Sequence, residues 1–398
     1  MKKKLKDVCD FYSGTGFPTQ YQGEIEGDYP FYKVGDIANN AISGKAYLEL
    51  CNNYVSKDVV KTIKGCILPK DTVVFAKIGE ALKLNRRAIT SCECLIDNNA
   101  MGIAPKPDQL RIQFFFFFMK HLKMQSLAES TTVPSVRKTK LENYEIEVPS
   151  MEAQEEIEKK LALISEIIEK RKQELVGLDE LIKSRFVEMF GNPVSNEMCW
   201  EQISLSACIE SIDNGKSFVC DSEAREGEWP AVLKLSAATY GYYLPEENKA
   251  VLDKNQFIEG AAVREGDLLF TRKNTPELVG MCAYVYDTPS KLMLPDLIFR
   301  LNTNKRCNKI FLWKLINHDL FRDYIQTIAT GSAKSMSNIS KERLLGLKII
   351  LPPIKLQEQF AAFVTQTDKS KLTIQKSLEE LETLNKALMQ KYFGGNGV

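Results

Sequence analysis

Two histidines, His121 and His318, are the whole imidazole inventory of the chain. Each lies in an apolar stretch of helical character, where a ring serves packing more readily than catalysis. A hydrolase built on histidine bases is hard to assemble from that supply. Ten cysteines stand at positions 9, 51, 66, 92, 94, 199, 208, 220, 282 and 307, and none forms the C-x-x-C pair of zinc ribbons and redox sites. The nearest approach, Cys92-Glu93-Cys94, would put two thiols on one face of a strand with no further ligand close by. Gly14-Thr15-Gly16 has the composition of a phosphate loop. No apolar strand precedes it in register, and Pro18 obstructs a helix there, so a turn is the expectation. The Asn/Asp-Pro-Pro-aromatic motif of DNA-adenine methyltransferases is present only as fragments, Gly191-Asn192-Pro193-Val194 and Leu351-Pro352-Pro353-Ile354. There is no Walker lysine loop, and no Glu-x-Lys follows Pro295-Asp296 at the short range of a nuclease core. These residues argue against chemistry within the chain, and no metal or cofactor is expected on it.

Charge is what remains. The 53 basic residues nearly cancel the 52 acidic ones, for a net charge of +1. That excludes a small, strongly basic nucleic-acid module but not a large protein with a local basic face. With 398 residues, 44% of them apolar and 26% charged, the chain has the balance of a folded protein of two or three domains. No apolar stretch of signal length follows the basic start Met1-Lys2-Lys3-Lys4-Leu5-Lys6, and the densest apolar run, Phe114 to Met119, is too short to span a bilayer. Scattered cysteines without a signal peptide fit a reducing cytosol, so a cytoplasmic protein with no membrane partner is expected.

The elements that must position any binding residue are written twice. Residues 130–191 overlie 333–394 at a constant offset of 203, with 12 of 62 positions identical, including a P-x-x-x-x-Q-E stretch that begins at Pro149 and again at Pro352. Upstream, Thr72 to Lys77 resembles Asp267 to Arg272, an apolar strand ending in a basic residue, and Tyr29 to Val34 echoes Trp229 to Leu235. Each copy opens with a mixed region, 1–150 and 192–353. Short β-rich runs (Ile67 to Pro69 with Thr72 to Phe75, Ala283 to Tyr286) alternate there with Gly, Pro, Asn and Asp clusters. Phe114 to Leu122 and Ile310 to Ile328 read as helices packed on a sheet. The five consecutive phenylalanines at 114–118 have no account beyond that packing. The fold class is α+β.

Each copy closes with a long helix, 151–191 and 354–398. Ser150 caps the first, glutamates crowd its first turn, and Gly191-Asn192-Pro193 ends it. Apolar residues recur at Ile157, Leu161, Ile164, Ile168, Leu175, Leu178 and Ile182, and in the second helix at Phe360, Val364, Ile374, Leu378, Leu381 and Leu388. Spacing this close to heptads needs a partner helix, and the other copy supplies it. About 40 residues make roughly 60 Å of helix. An antiparallel pairing then predicts a rod with a similar globular domain at each end, related by a pseudo-twofold axis. Such an object suits a two-part site on a duplex, with the spacing set by the rod.

The pattern of a variable domain followed by a helix, twice over, resembles the specificity (S) subunit of type I restriction-modification enzymes. Phe11-Tyr12-Ser13-Gly14-Thr15-Gly16-Phe17-Pro18, with Tyr29 to Ile37, is similar to the start of that family's recognition domain. Thr330 to Ser340, then Ile349-Ile350-Leu351-Pro352-Pro353 and Gln357-Glu358, resemble its second signature. The first copy departs from that signature, carrying Glu129 to Ser135 in its place. The resemblance implies two target recognition domains, each reading half of a split double-stranded DNA sequence, and helices that space them and dock two methyltransferase (M) subunits. A motor-nuclease restriction (R) subunit joins for cleavage. AdoMet, ATP and Mg would then sit on those partners and not on this chain.

DNA contacts fall to basic residues near strand and loop ends. In the first region these are Lys33, Lys77, Lys83, Arg86, Arg87, Arg137 and Lys138; in the second, Lys234, Arg272, Lys273, Lys334 and Lys341. Arg can bond guanine through two donors, which favours the pairs Arg86-Arg87 and Arg272-Lys273. Residues 1–150 carry 21 basic and 17 acidic groups, whereas 192–353 carry 19 and 20. That second balance sits awkwardly with a phosphate-dominated affinity. Two other readings stay open on the residues alone: a coiled-coil scaffold whose end domains bind proteins, and a self-contained methyltransferase.

Overall fold

Val73–Ala76 and its counterpart Leu268–Thr271 are buried at every position, and for that reason both read as near-continuous apolar runs, broken only by Thr271, rather than alternating ones. The computed structural model that shows this describes residues 1–49, 51–129, 133–331 and 336–395. The chain divides into two compact units, Met1–Glu174 with Ile374–Val398, and Leu175–Thr373. The division cuts across both long helices, so each unit takes the first part of one helix and the last part of the other.

Both units are built on one plan. In the first, a four-stranded antiparallel sheet runs Cys9–Ser13, Ala100–Pro105, Val73–Ala76, Arg87–Ile89. In the second the order is Ile209–Asn214, Ile298–Thr303, Leu268–Thr271, Cys282–Tyr284, again antiparallel throughout. A three-stranded mixed sheet accompanies each. Tyr29–Tyr32 lies between an antiparallel Tyr54–Val55 and a parallel Leu95–Ile96, and Ala231–Leu233 lies likewise between Asn248–Ala250 and Leu292–Met293. The opening strand of each unit pairs with the strand just ahead of the long helix: Lys2–Lys4 with Glu145–Glu147, and Glu201–Ser204 with Lys348–Leu351.

The long helices span Met151–Phe190 and Ile354–Phe393, at the sequence offset of 203 at both ends. Ser150 Oγ accepts from the Ala153 amide at 3.3 Å, and Gly191 turns the chain out of the first helix at φ +72°, a conformation that costs glycine nothing. Within the first unit the two helix segments run antiparallel. Ile157 and Leu161 share a core with Leu388 and Phe393, while Lys172 meets Glu382 at 3.1 Å. Within the second unit Phe186 and Phe190 pack on Phe360, and Asp179 pairs with Lys371. Of the seam positions named above, Leu161, Ile168, Ile182, Phe360, Val364 and Leu378 are buried, and Ile157, Ile164, Leu175, Leu178, Ile374, Leu381 and Leu388 are half-buried.

The repeated P-x-x-x-x-Q-E stretch has a mechanical role. Gln154 is fully buried; its Oε1 accepts from the Arg111 amide at 2.9 Å, and its Nε2 donates to the carbonyls of Gln109 and Pro149. Gln357 is fully buried too, with Oε1 on the Asn308 amide and Nε2 on the carbonyls of Arg306 and Pro352. Each glutamine fastens the start of a long helix to the turn ahead of the helix that covers its sheet, Ile112–His121 in one unit and Lys309–Asn317 in the other.

Three sequence expectations need correcting. The stretch from Ile310 to Ile328 is two helices, Lys309–Asn317 and Asp319–Thr327. His318 breaks it by turning extended and capping the second helix, its Nδ1 accepting from the Leu320 amide at 3.3 Å. Cys92 and Cys94 do not share a face, since Cys92 is exposed and Cys94 buried in an irregular bend. Ile67 to Pro69 forms no strand of its own, Leu68 making only a single bridge to Cys94. No helix among the described residues is long and apolar enough to cross a membrane.

Candidate nucleic-acid interface

In each unit the central strand of the larger sheet runs out into a basic residue, which is caught by the segment just ahead of a short helix. In the first unit Val73–Ala76 leads to Lys77. The Lys77 carbonyl accepts from the Val136 amide at 2.9 Å, Ile78 bridges Ser135, and the Gly79 amide donates to the Pro134 carbonyl at 2.8 Å. Arg137 follows directly and Lys138 opens the helix Lys138–Glu142. In the second unit Leu268–Thr271 leads to Arg272, whose carbonyl accepts from the Ile339 amide at 2.8 Å. Lys273–Asn274 then pairs with Ser337–Asn338. Ser340 Oγ caps the helix Lys341–Gly346 through the Arg343 amide. The backbone thus brings Lys77, Arg137 and Lys138 together in one unit, and Arg272, Lys273 and Lys341 in the other. Lys334 lies outside the described residues.

A tight turn supports each of these strand ends. A Cβ on Gly14 would stand 1.7 Å from the Asp97 carbonyl oxygen, and one on Gly215 would stand 2.1 Å from that of Pro295. Both glycines are therefore required by close backbone approach, and Gly14-Thr15-Gly16, expected as a turn, instead runs on from Cys9–Ser13 with Thr15 bridging Asp97 in parallel. Asp97, which sequence reasoning passed over, accepts from the amides of Val34 and Asn99, and the Asn99 carbonyl in turn accepts from the Lys77 amide. This turn links Lys77 to Lys33, whose Nζ donates to Gln22 at 2.6 Å and stands 5.6 Å from the Phe17 ring centroid. Asp97-Asn98-Asn99, an Asx-rich run between two apolar stretches, was the available signal.

The remaining cations are held to different degrees. Lys83 pairs with Glu80 at 2.7 Å, Arg137 with Glu129 at 2.6 Å, Lys138 with Glu142 at 3.7 Å, and Lys234 with Glu247 at 4.0 Å. Lys273 is exposed and Arg86 half-buried. Arg87, one of the favoured base-reading pair, is corrected outright. It is 3% exposed. Its guanidinium donates to the carbonyls of Met119, Leu122 and Arg86 and to Asn85 Oδ1, and sits 5.2 Å from the Phe75 ring. Burial lowers its pKa from the ordinary guanidinium value, and those acceptors compensate for the lost water. Arg87 ties the C-terminal end of Ile112–His121 to the sheet and cannot reach DNA.

No chemistry-bearing cluster competes with this arrangement. Among the described residues no three His, Cys, Asp or Glu side chains lie together as a metal site would need. The histidines are packed: His121 lies 6.1 Å from the Phe393 ring and His318 4.9 Å from Phe186, and burial lowers the pKa of both.

The sequence matches the type I restriction modification DNA specificity domain over residues 1–176 and again over 200–383. The chain belongs to that family. Its two matches coincide with the two copies of the fold just described. Among relatives, the specificity subunit of the type I restriction enzyme EcoEI of Escherichia coli is 32% identical over 161 residues, 40% of this chain and 27% of that protein. The specificity subunit of MjaVIII from Methanocaldococcus jannaschii is 21% identical over 98% of this chain and 91% of its own length. The first of these alignments reach only about a quarter to a half of the relatives' length. Among solved structures, the type I restriction-modification S subunit of M. genitalium superposes with a TM-score of 0.60 at 14% identity, covering 99% of this chain and 96% of that one. A chain from a structure that describes complex assembly and conformational transition of the type I R-M system gives 0.54 at 17% identity, covering 99% and 97%. At these identities the structural likeness carries the fold of the specificity family, which is the two-unit, two-helix α+β architecture expected from the repeat.

Proposed function

We propose that this chain is the sequence-recognition subunit of a type I restriction-modification complex, each unit reading one half of a bipartite target in double-stranded DNA. The observation that carries this is the duplication of one basic construction, a strand end caught against the segment before a short helix, in a chain whose halves each match a DNA specificity domain. The chain itself performs no chemistry in this reading. Two methyltransferase subunits bring AdoMet and transfer the methyl group to adenine, and a restriction subunit, where the system has one, brings ATP and Mg for translocation and cleavage. The complex works in the cytoplasm, where its DNA is. The long helices set the distance between the half-sites.

A domain exchange tests this. Replacing residues 1–150 with the corresponding region of another specificity subunit is expected to change one half of the methylated sequence and leave the other half and the spacing intact. A change in both halves sinks the two-reader reading. Inserting one heptad after Leu175 is expected to lengthen the spacer or abolish recognition, and unchanged spacing would remove the helices from that role.

A further inference from the structure

Arg272 and Lys341 reach the same aromatic ring from two different segments. The Arg272 guanidinium stands 5.1 Å and the Lys341 Nζ 5.8 Å from the centroid of the buried Phe299. Arg272 Nη2 donates to Asn338 Oδ1 at 3.2 Å, and Lys341 Nζ donates to the Ile212 carbonyl at 2.7 Å. The Arg272 Nε is buried without a hydrogen-bond partner among the described residues. Neither side chain pairs with a carboxylate among those residues, whereas Lys83, Arg137, Lys138 and Lys234 each do. Two like charges fixed over one ring with no counter-charge repel each other, and an anion placed between them relieves that cost with charge-assisted hydrogen bonds. The anion is a backbone phosphate and not a base edge. Bidentate reading of guanine needs a free guanidinium fork, whereas here Asn338 takes one end and the Phe299 ring centroid stands 5.1 Å from the guanidinium carbon.

The first unit lacks this arrangement. Lys77 and Lys138 occupy the matching places, Lys138 is paired with Glu142, and Met101 stands at the matching place in the strand where the second unit has Phe299. The second region, with 19 basic and 20 acidic residues, therefore meets the phosphate requirement by local concentration rather than by net charge.

We propose that Arg272 and Lys341 form a preformed clamp for one backbone phosphate of double-stranded DNA, setting the register of the second half-site without reading a base. The proposal rests on the sequence-recognition reading above. The test uses the full chain assembled with its cognate methyltransferase. Binding is measured from about 50 to about 200 mM salt on a duplex carrying the mapped motif and on a scrambled duplex of equal length. With Arg272→Gln and Lys341→Gln together, the log-log salt slope becomes shallower by about 1 to 2 on both duplexes, affinity falls by a similar factor on each, and the methylated motif is unchanged. The charge-keeping pair Arg272→Lys with Lys341→Arg retains the slope, and thermal melting confirms that both variants fold. A motif that becomes degenerate at one position with an unchanged slope would show base reading and overturn the clamp. No change in motif or slope would place the two cations off the duplex and overturn it equally. If the unaltered complex does not distinguish the two duplexes, the specificity reading has failed first.

Discussion

In the first unit Phe114 to Phe118 are all buried, with Phe393 closing on Phe114 at a ring separation of 5.3 Å. The matching helix of the second unit is Lys309–Asn317, and there Phe311 meets Phe190 at 5.0 Å in the same relation. The second helix, however, carries Lys314 within its packed stretch. Its Nζ lies 3.4 Å from the Trp313 ring centroid and 4.0 Å from Asp368, which also accepts from the Tyr286 hydroxyl at 2.9 Å. One unit fills the space under its sheet with phenylalanine; the other accommodates a charge network there. The anchor points are common to both, namely the buried glutamine, the phenylalanine at the end of a long helix, and the glycine beneath the strand-end turn. What lies between them varies. A frame with fixed anchors and free filling lets two units with different interiors share one fold.

The largest test of that equivalence is to remove the terminal aromatic from each core. Phe190→Ala and Phe393→Ala should each destabilise the chain by about 3–5 kcal/mol in urea unfolding, and by similar amounts. A much smaller loss for Phe393→Ala would show that the second long helix is not a true counterpart of the first. Next come the glutamines. Gln154→Leu and Gln357→Leu each strand one amide and two carbonyls in the interior, at an expected cost of about 2–3 kcal/mol apiece.

The smallest effect sharpens the difference instead. Burial pushes the Lys314 ammonium down from 10.5 to about 8, Asp368 opposing that shift and Lys371 adding to it. Between those values the unfolded chain holds a proton that the folded one has released, so stability rises with pH across the window. Relative to Lys314→Met, the unaltered protein should gain on the order of 2 kcal/mol from pH 7.5 to pH 10.5, measured by parallel denaturant titrations. A parallel pH dependence in the two proteins would mean that Lys314 is not held in a poorly solvated position.

The frame was legible in the sequence because it is periodic and punctuated. The offset of 203, Ser150 and the paired prolines mark the starts of both long helices at Met151 and Ile354, while the helices end at Phe190 and Phe393 rather than at 191 and 398. The glutamine motif was visible as a repeat, but its purpose was not, since two of the three partners of each glutamine lie 43 to 51 residues away in the chain. The candidate interface was legible in part. Basic residues at strand ends identified Lys77 and Arg272, and the signature stretch 330–340 held Asn338, which orients Arg272. Arg87 was misread because adjacent arginines look alike in sequence, while the strand Arg87–Ile89, buried at all three positions, carries one of them into the core. The ring under Arg272 and Lys341 could not be read at all. Phe299 is one apolar residue among many in its strand, and only the pairing of Phe270 with Phe299 brings it beneath Arg272.

The most direct test of sequence recognition is adenine-methylation mapping by single-molecule sequencing, in cells expressing the cognate methyltransferase with and without this chain. A split motif that is present with the chain and vanishes without it is the expected result, and it yields both half-sites at once. If an active methyltransferase modifies the same sites whether or not the chain is present, the recognition role is refuted.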